Sequence, residues 1–326
     1  MSKNSNKSSD IQILRAIAII AVVMIHTYPT SDMGQIFIRP FINFCVALFI
    51  FLSGYLTKLE NSDWKSFCIK RIKRVFIPYV IWTAIYGIVM GSVFNVPRNI
   101  ITTGAAAPFY YIFVYIQLVL ITPFLGRLVN SKYRILGFLI SPISMLIFTY
   151  PFVILGVEKN QVVGKFWALS CLHWFIFYYL GLLLGNRKIK VTFSMKQLTI
   201  FLVLSILLQM VEGYAWKLLG ATNIGTQTRL SSLITSCIFS LISYQLLVEK
   251  RIKCNNRILL RIGDFSFGIY LMHCLFIQLA DKYHIAAYNH LPFIVNTAAL
   301  ILICSAICYL GNKLLPSKIN QWLGFS

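Results

Sequence analysis

Residues 11–29 read IQILRAIAIIAVVMIHTYP, and this run decides the fold class. A helix needs about 20 mostly apolar residues to cross a bilayer, and this stretch qualifies despite two residues that do not suit lipid, Arg15 and His26. An ionisable side chain inside a span is costly, so by default it faces the protein interior and marks a functional path. At about 100° per residue the pair falls within roughly 20° of one helix face, about 16 Å apart along the axis. One stripe therefore carries a cation near one membrane surface and an imidazole near the other. The alternative is that Arg15 snorkels to a headgroup while His26 only bonds a neighbour.

The rest of the chain repeats that solvent preference. Of 326 residues, 58% are hydrophobic and 12% charged, and the mean hydropathy is +0.74. A soluble protein of this length could not hide so much apolar surface, so lipid is its solvent. The formal charge of +21 would point to nucleic acid in a soluble protein. Here the basic residues sit in short loops between apolar runs, as membrane topology demands, and no nucleic-acid partner is expected. The eight cysteines are scattered without a CxxC pair. Cys304 and Cys308, one helical turn apart, read as core positions, and no metal is expected. The polar start leads into a run that ends without a small-residue cleavage site, so it reads as a retained anchor.

Ten apolar segments are long enough to span, at about 11–29, 36–57, 75–95, 109–127, 135–156, 166–186, 197–219, 230–248, 264–281 and 292–315. The expected fold class is all-α, a polytopic membrane helix bundle forming a single domain over 1–326 with a short cytoplasmic tail at 1–10. The stretch from Pro97 to Pro108 reads as a re-entrant or interfacial piece. Basic residues crowd alternate connections, among them Lys65, Lys70, Arg71, Lys73 and Arg74, then Arg187, Lys188, Lys190 and Lys196, then Lys250, Arg251, Lys253, Arg257 and Arg261. The intervening connections hold only Arg39, Arg98, Lys159, Lys165, Lys217, Arg229 and Lys282. That bias places both termini in the cytoplasm, with Arg15 near the inner surface and His26 near the outer one.

Several constellations could carry chemistry. Ser53 and Gly54 in FLSGY (51–55) are small enough for a helix or a ligand to approach the backbone closely. Residues 65–78 read as a loop whose arginines suit bidentate phosphate contacts; topology signalling or lipid headgroups would account for the same cluster. His173 and Trp174 open the sixth span, where an interfacial aromatic belt would explain the tryptophan. Glu212 is the acid deepest in a span, and His26 or His173 at similar depth are its candidate partners. Ser266, Tyr270 and His273, at i, i+4 and i+7, share one face. His284 and His290 read as solvent-exposed.

These residues together resemble the acyltransferase-3 family of integral membrane acyltransferases, which modify bacterial surface glycans and other extracytoplasmic molecules. The resemblance rests on Arg15 and His26 with ten residues between them, FLSGY at 51–55, and Arg71 and Arg74 followed by Ile77-Pro78-Tyr79. FYYLGLLLG at 177–185 and SFGIYLMH at 266–273 extend it. Two departures stand out. The family arginine is often preceded by an Asp three residues earlier, where this sequence has Gln12. Some members also carry an extracellular esterase-like domain that this sequence lacks, which leaves a direct acceptor, a separate extracytoplasmic partner or another use of the scaffold.

The resemblance implies transfer of an acyl group, expected to be acetyl, from cytoplasmic acetyl-CoA or another acyl-CoA to a hydroxyl of a glycan-type acceptor outside the cell membrane. His26, Arg15 and Glu212 are then the catalytic candidates. Arg71, Arg74, Ser53 and Tyr55 are the donor-binding candidates, and His173, Trp174, Ser266, Tyr270 and His273 the acceptor-binding ones. An alcohol attacking a thioester must lose its proton, and a neutral imidazole is the usual base; His26 as a transient acyl carrier is equally compatible. A transporter or flippase exporting a polysaccharide or small substrate is the rival class, and a membrane sensor without catalysis a third. Homo-oligomerisation stays open.

Overall fold

The computed structural model describes residues 3–60, 63–154, 167–249, 256–285 and 291–325, with side chains from residue 9 onward. Lys159, Lys165, Lys250, Arg251, Lys253, Cys254 and His290 lie outside the described residues, as do the side chains of Lys3 and Lys7. All regular structure among the described residues is helical.

Helix α1 (Lys3–Thr27) is the hub, packed against α2 (Phe44–Tyr55) and against helices that come much later in the chain. Small buried residues at Ala16, Ala18 and Ala21 let those neighbours come close. A π-turn (Gly34–Ile38) and a 3-10 turn (Arg39–Phe41) lead into α2, and together they extend the second span.

Helix α3 (Trp64–Val89) differs from expectation at its start. Residues 65–78, expected as a loop, are its opening turns. The Asp63 side chain accepts a hydrogen bond from the Ser66 amide at 2.9 Å, which satisfies one of the free donors at a helix start, and the helix runs on through Pro78. The basic residues of this stretch are thus fixed on a helix.

The Pro97–Pro108 piece is a short helix α4 (Val96–Thr102), stopped by Thr103 at φ 56°, and a 3-10 turn (Ala107–Phe109) that feeds α5 (Tyr110–Asn130). Irregular backbone at membrane depth must find partners in the protein. Tyr79 Oη donates to the carbonyls of Asn99 (3.1 Å) and Ile100 (2.8 Å), Tyr270 Oη to that of Pro108 (2.5 Å), and the Gln278 amide to that of Ala105 (3.0 Å).

Helices α6 (Ile140–Phe148) and α7 (Tyr150–Ile154) follow, then α8 (Phe175–Gly185), which is buried on nearly every side. A helix apolar all round belongs in a core. FLSGY and the GLLLG run of α8 form one seam: a Cβ on Gly54 would collide with the Tyr178 carbonyl, one on Gly181 with that of Phe51, and one on Gly185 with that of Tyr55. These glycines are helix-packing positions.

Helix α9 (Met195–Leu218) starts at a capping box of Ser194 and Gln197, and α10 (Leu230–Val248) buries serines. Helix α11 (Arg257–Asp264) meets α12 (Ser266–Lys282) at a 77° bend. Helices α13 (Phe293–Leu314) and α14 (Ser317–Leu323) complete the described bundle, in which α1 packs against α10, α11, α12 and α13. Cys304 and Cys308 are fully buried core positions.

Eight stretches among the described residues are long and apolar enough to cross a membrane, and the bent α11–α12 pair makes a ninth. The remaining expected segment, 166–186, is represented by the shorter apolar Cys171–Gly185. The chain is a polytopic helical membrane protein.

Candidate active site

His26, in the last turn of α1, faces His273 of α12, with ring centroids 5.2 Å apart and planes tilted by 49°. His273 Nδ1 is 3.0 Å from the Ile269 carbonyl. A carbonyl only accepts, so Nδ1 carries a proton and Nε2 of the neutral ring is an acceptor. The Cys274 thiol lies 3.3 Å from that Nε2. One ligating atom each from His26, His273 and Cys274 fall within 4.8 Å of one another, close enough to hold a metal ion, although a closed structural zinc site takes four donors. Thr27 Oγ1 meets Thr297 Oγ1 at 2.7 Å and ties this end of α1 to α13.

Arg39 braces the same end. Its Nε donates to Asn43 at 2.8 Å, its Nη1 to Tyr28 Oη at 3.2 Å, and its guanidinium lies over the Tyr28 ring. The rule that singled out Arg15, a lone cation in an apolar run, applies equally to Arg39 in IFIRPFINF and would have found it.

A cavity of about 1400 Å³ opens at the other end of the α1 stripe. Lys70, Arg71, Lys73 and Arg74 of α3 line it, joined by Arg15, by Arg261 of α11 and by Lys313 of α13, against the single carboxylate of Asp264. Arg15 Nη1 donates to Gln12 Oε1 at 3.3 Å, so Gln12 orients the guanidinium. Arg71 Nη1 donates to the Ser53 carbonyl at 3.5 Å, and its guanidinium stacks on Phe67. Val22 of α1, Tyr111 and Tyr270 also line the cavity, and Ser266 lines it with a buried Oγ that has no hydrogen-bond partner. His26 is four residues beyond Val22, about 6 Å further along the axis. The Tyr270 ring is 6.4 Å from His273. Asp264 and Tyr111 are lining residues that no local pattern marked, and the sequence marks Arg261 only as a topology charge.

The other candidates lie elsewhere. Tyr55 does not line the cavity; it packs on Tyr244 and Phe51 at the seam with α8. Glu212 bonds Tyr150 Oη and Ser231 Oγ and accepts from the Ser231 amide at 3.2 Å. It therefore caps the start of α10, where the helix dipole favours an anion. The expected histidine partner is replaced at Glu212 by these groups, because α10 docks beside α9 and brings the free Ser231 amide to the carboxylate. Arg229, just before α10, is fully buried over Trp216 with its guanidinium nitrogens unbonded. Trp174 is only 5% exposed and stacks on Tyr110, so it belongs to the interior rather than to an interfacial belt. His173 is buried beside it in the 3-10 turn Cys171–Trp174, which Gln117 anchors through Leu169 and Cys171. His284 is exposed as expected.

Across residues 8–312 the sequence matches the model of the acyltransferase-3 family, described as an acyltransferase domain. No curated protein and no solved structure matches it.

Proposed function

The chain belongs to the acyltransferase-3 family and is a multi-pass membrane acyltransferase, and from that premise we propose that it moves an acetyl group from acetyl-CoA to a hydroxyl on an extracytoplasmic glycan or envelope acceptor. The observation that carries this reading is the arrangement along α1: a large basic cavity around Arg15, Arg71 and Arg74 whose lining reaches Val22 and Tyr270, with the His26–His273 pair beyond it on the same helices. Coenzyme A is a polyanion with a long thin thioester arm. The cavity exceeds the about 300–1,000 Å³ of pockets that enclose drug-sized ligands, and its cations suit a nucleotide with several phosphates.

Both termini are cytoplasmic in this reading, because the basic segments gather at the cavity mouth. The donor enters there and its thioester reaches toward the imidazoles. The acceptor hydroxyl arrives from the opposite side. His26 takes the hydroxyl proton as the oxygen bonds to the thioester carbonyl carbon; the C–S bond breaks, and the proton passes to the leaving thiolate. His273 holds His26 in place.

Three measurements test the proposal. Envelope glycans from cells with and without the protein should differ by the mass of acetyl groups, and purified protein should release free coenzyme A only when acceptor is added. Release with donor alone, with an acetyl mass increment on His26, would instead establish an acyl-histidine step. Cysteines placed at Lys65 and Lys188 should be labelled only from the cytoplasmic side; labelling from outside intact cells reverses the orientation.

A further inference from the structure

Residues 313–325 lie beyond the stretch that matches the family, yet they form a wall of the basic cavity. Gln321, Trp322, Gly324 and Phe325 all line it. Three features fasten this wall. Trp82 Nε1 donates to the Leu323 carbonyl at 3.0 Å, and the Asn312 amide donates to that of Phe325 at 2.8 Å. Gly324, at φ 73°, turns the chain so that Phe325 folds back, 4% exposed, against Gly268 and Gly311. Leu323 and Phe325 are thus committed to the bundle.

Trp322 is not. It remains 43% exposed and lines the cavity. Lys318 Nζ sits over its ring, 5.1 Å from the centroid, and Lys313 lines the same cavity. A half-open indole among cations is matched by a ligand group that is both planar and phosphorylated. Base–aromatic stacking supplies one half of that recognition and charge-assisted bonds to phosphate the other. A tryptophan serving only as a membrane-interface anchor would have no reason to sit on the wall of a cation-lined cavity.

We propose that Trp322 stacks on the adenine of the donor and that Lys313 holds its ribose 3′-phosphate, so that the α14 segment is a nucleotide-recognition element. The proposal rests on the coenzyme A reading of the cavity and assigns the nucleotide to one wall of it. The thioester arm then points away from α14 toward Tyr270 and His273.

The test uses the full chain in detergent and two halves of the donor as probes: adenosine 3′,5′-bisphosphate and S-acetyl-4′-phosphopantetheine. Trp322→Ala should weaken binding of the nucleotide half about tenfold or more and leave the acetylated arm unchanged. Trp322→Phe should keep most of the nucleotide affinity. Unchanged nucleotide affinity in Trp322→Ala overturns the proposal while acetyl-CoA binding to the natural protein upholds the donor reading. Equal loss for both halves shows a structural lesion and overturns it as well. If the natural protein binds neither half nor acetyl-CoA, the donor reading itself falls.

Discussion

His26 of α1 and His273 of α12 meet at a tilt, 5.2 Å between ring centroids, although they come from opposite ends of the chain. The pairing gives each imidazole a distinct place. His273 is pinned through Nδ1 to the Ile269 carbonyl, while His26 stands at the end of the stripe that begins with Arg15 at the basic cavity.

His26→Gln should abolish transfer and leave a folded protein that still binds acetyl-CoA. Losing a positioned base costs about a hundredfold to ten-thousandfold in rate, and an amide cannot take a proton at neutral pH. Specific activity per folded molecule, set against donor affinity, is the measurement. Near-normal activity would remove His26 from catalysis.

His273→Gln acts through its neighbour. Loss of the pinned ring should let His26 drift, and a misplacement of about 1 Å can cost a hundredfold. The expected signature is a fall in kcat with donor KM unchanged. A rise in donor KM with kcat intact would make His273 part of the donor site instead.

Arg71→Ala and Arg74→Ala should each raise the Kd for acetyl-CoA about tenfold or more. A hydrogen bond to a charged group contributes about 1.5–3 kcal/mol, which converts to that factor. Thermal stability should barely change, because both residues open onto the cavity. Unaltered binding with reduced expression would leave the cluster as a topology signal alone.

Glu212→Gln should lower thermal stability more than turnover. The carboxylate holds Tyr150 and the hydroxyl and amide of Ser231, and weakening such a part-buried network costs about 1–3 kcal/mol. Activity per folded molecule should stay near that of the natural protein. A hundredfold loss of kcat at unchanged stability would restore Glu212 to the reaction.

Gly54→Ala should destabilise the bundle by about 1–3 kcal/mol through overpacking. The new methyl would run into the Tyr178 carbonyl, where α2 and α8 share a seam that backbone atoms already fill. A lower melting temperature in detergent, with donor affinity per folded molecule preserved, is the expected result.

The sequence by itself determined what local chemistry can encode. Composition made lipid the solvent, hydropathy located the spans, and helical periodicity put Arg15 and His26 on one face, because each depends on residues adjacent along the chain. It also marked Ser266, Tyr270 and His273 as one stripe. Only the tertiary structure decided that His273 meets His26, that Gln12 bonds the Arg15 guanidinium, and that Glu212 caps α10 instead of facing a histidine. Trp174 and Tyr55 show the same limit: periodicity puts each on a helix face, but the neighbour that covers that face comes from a distant segment. Residues 65–78 read as a loop because charge density argues for solvent, whereas the Asp63 cap and the packing of α3 turned that charge into one wall of a cavity. Docking between helices depends on the shapes of all partners at once, and no single helix carries that information.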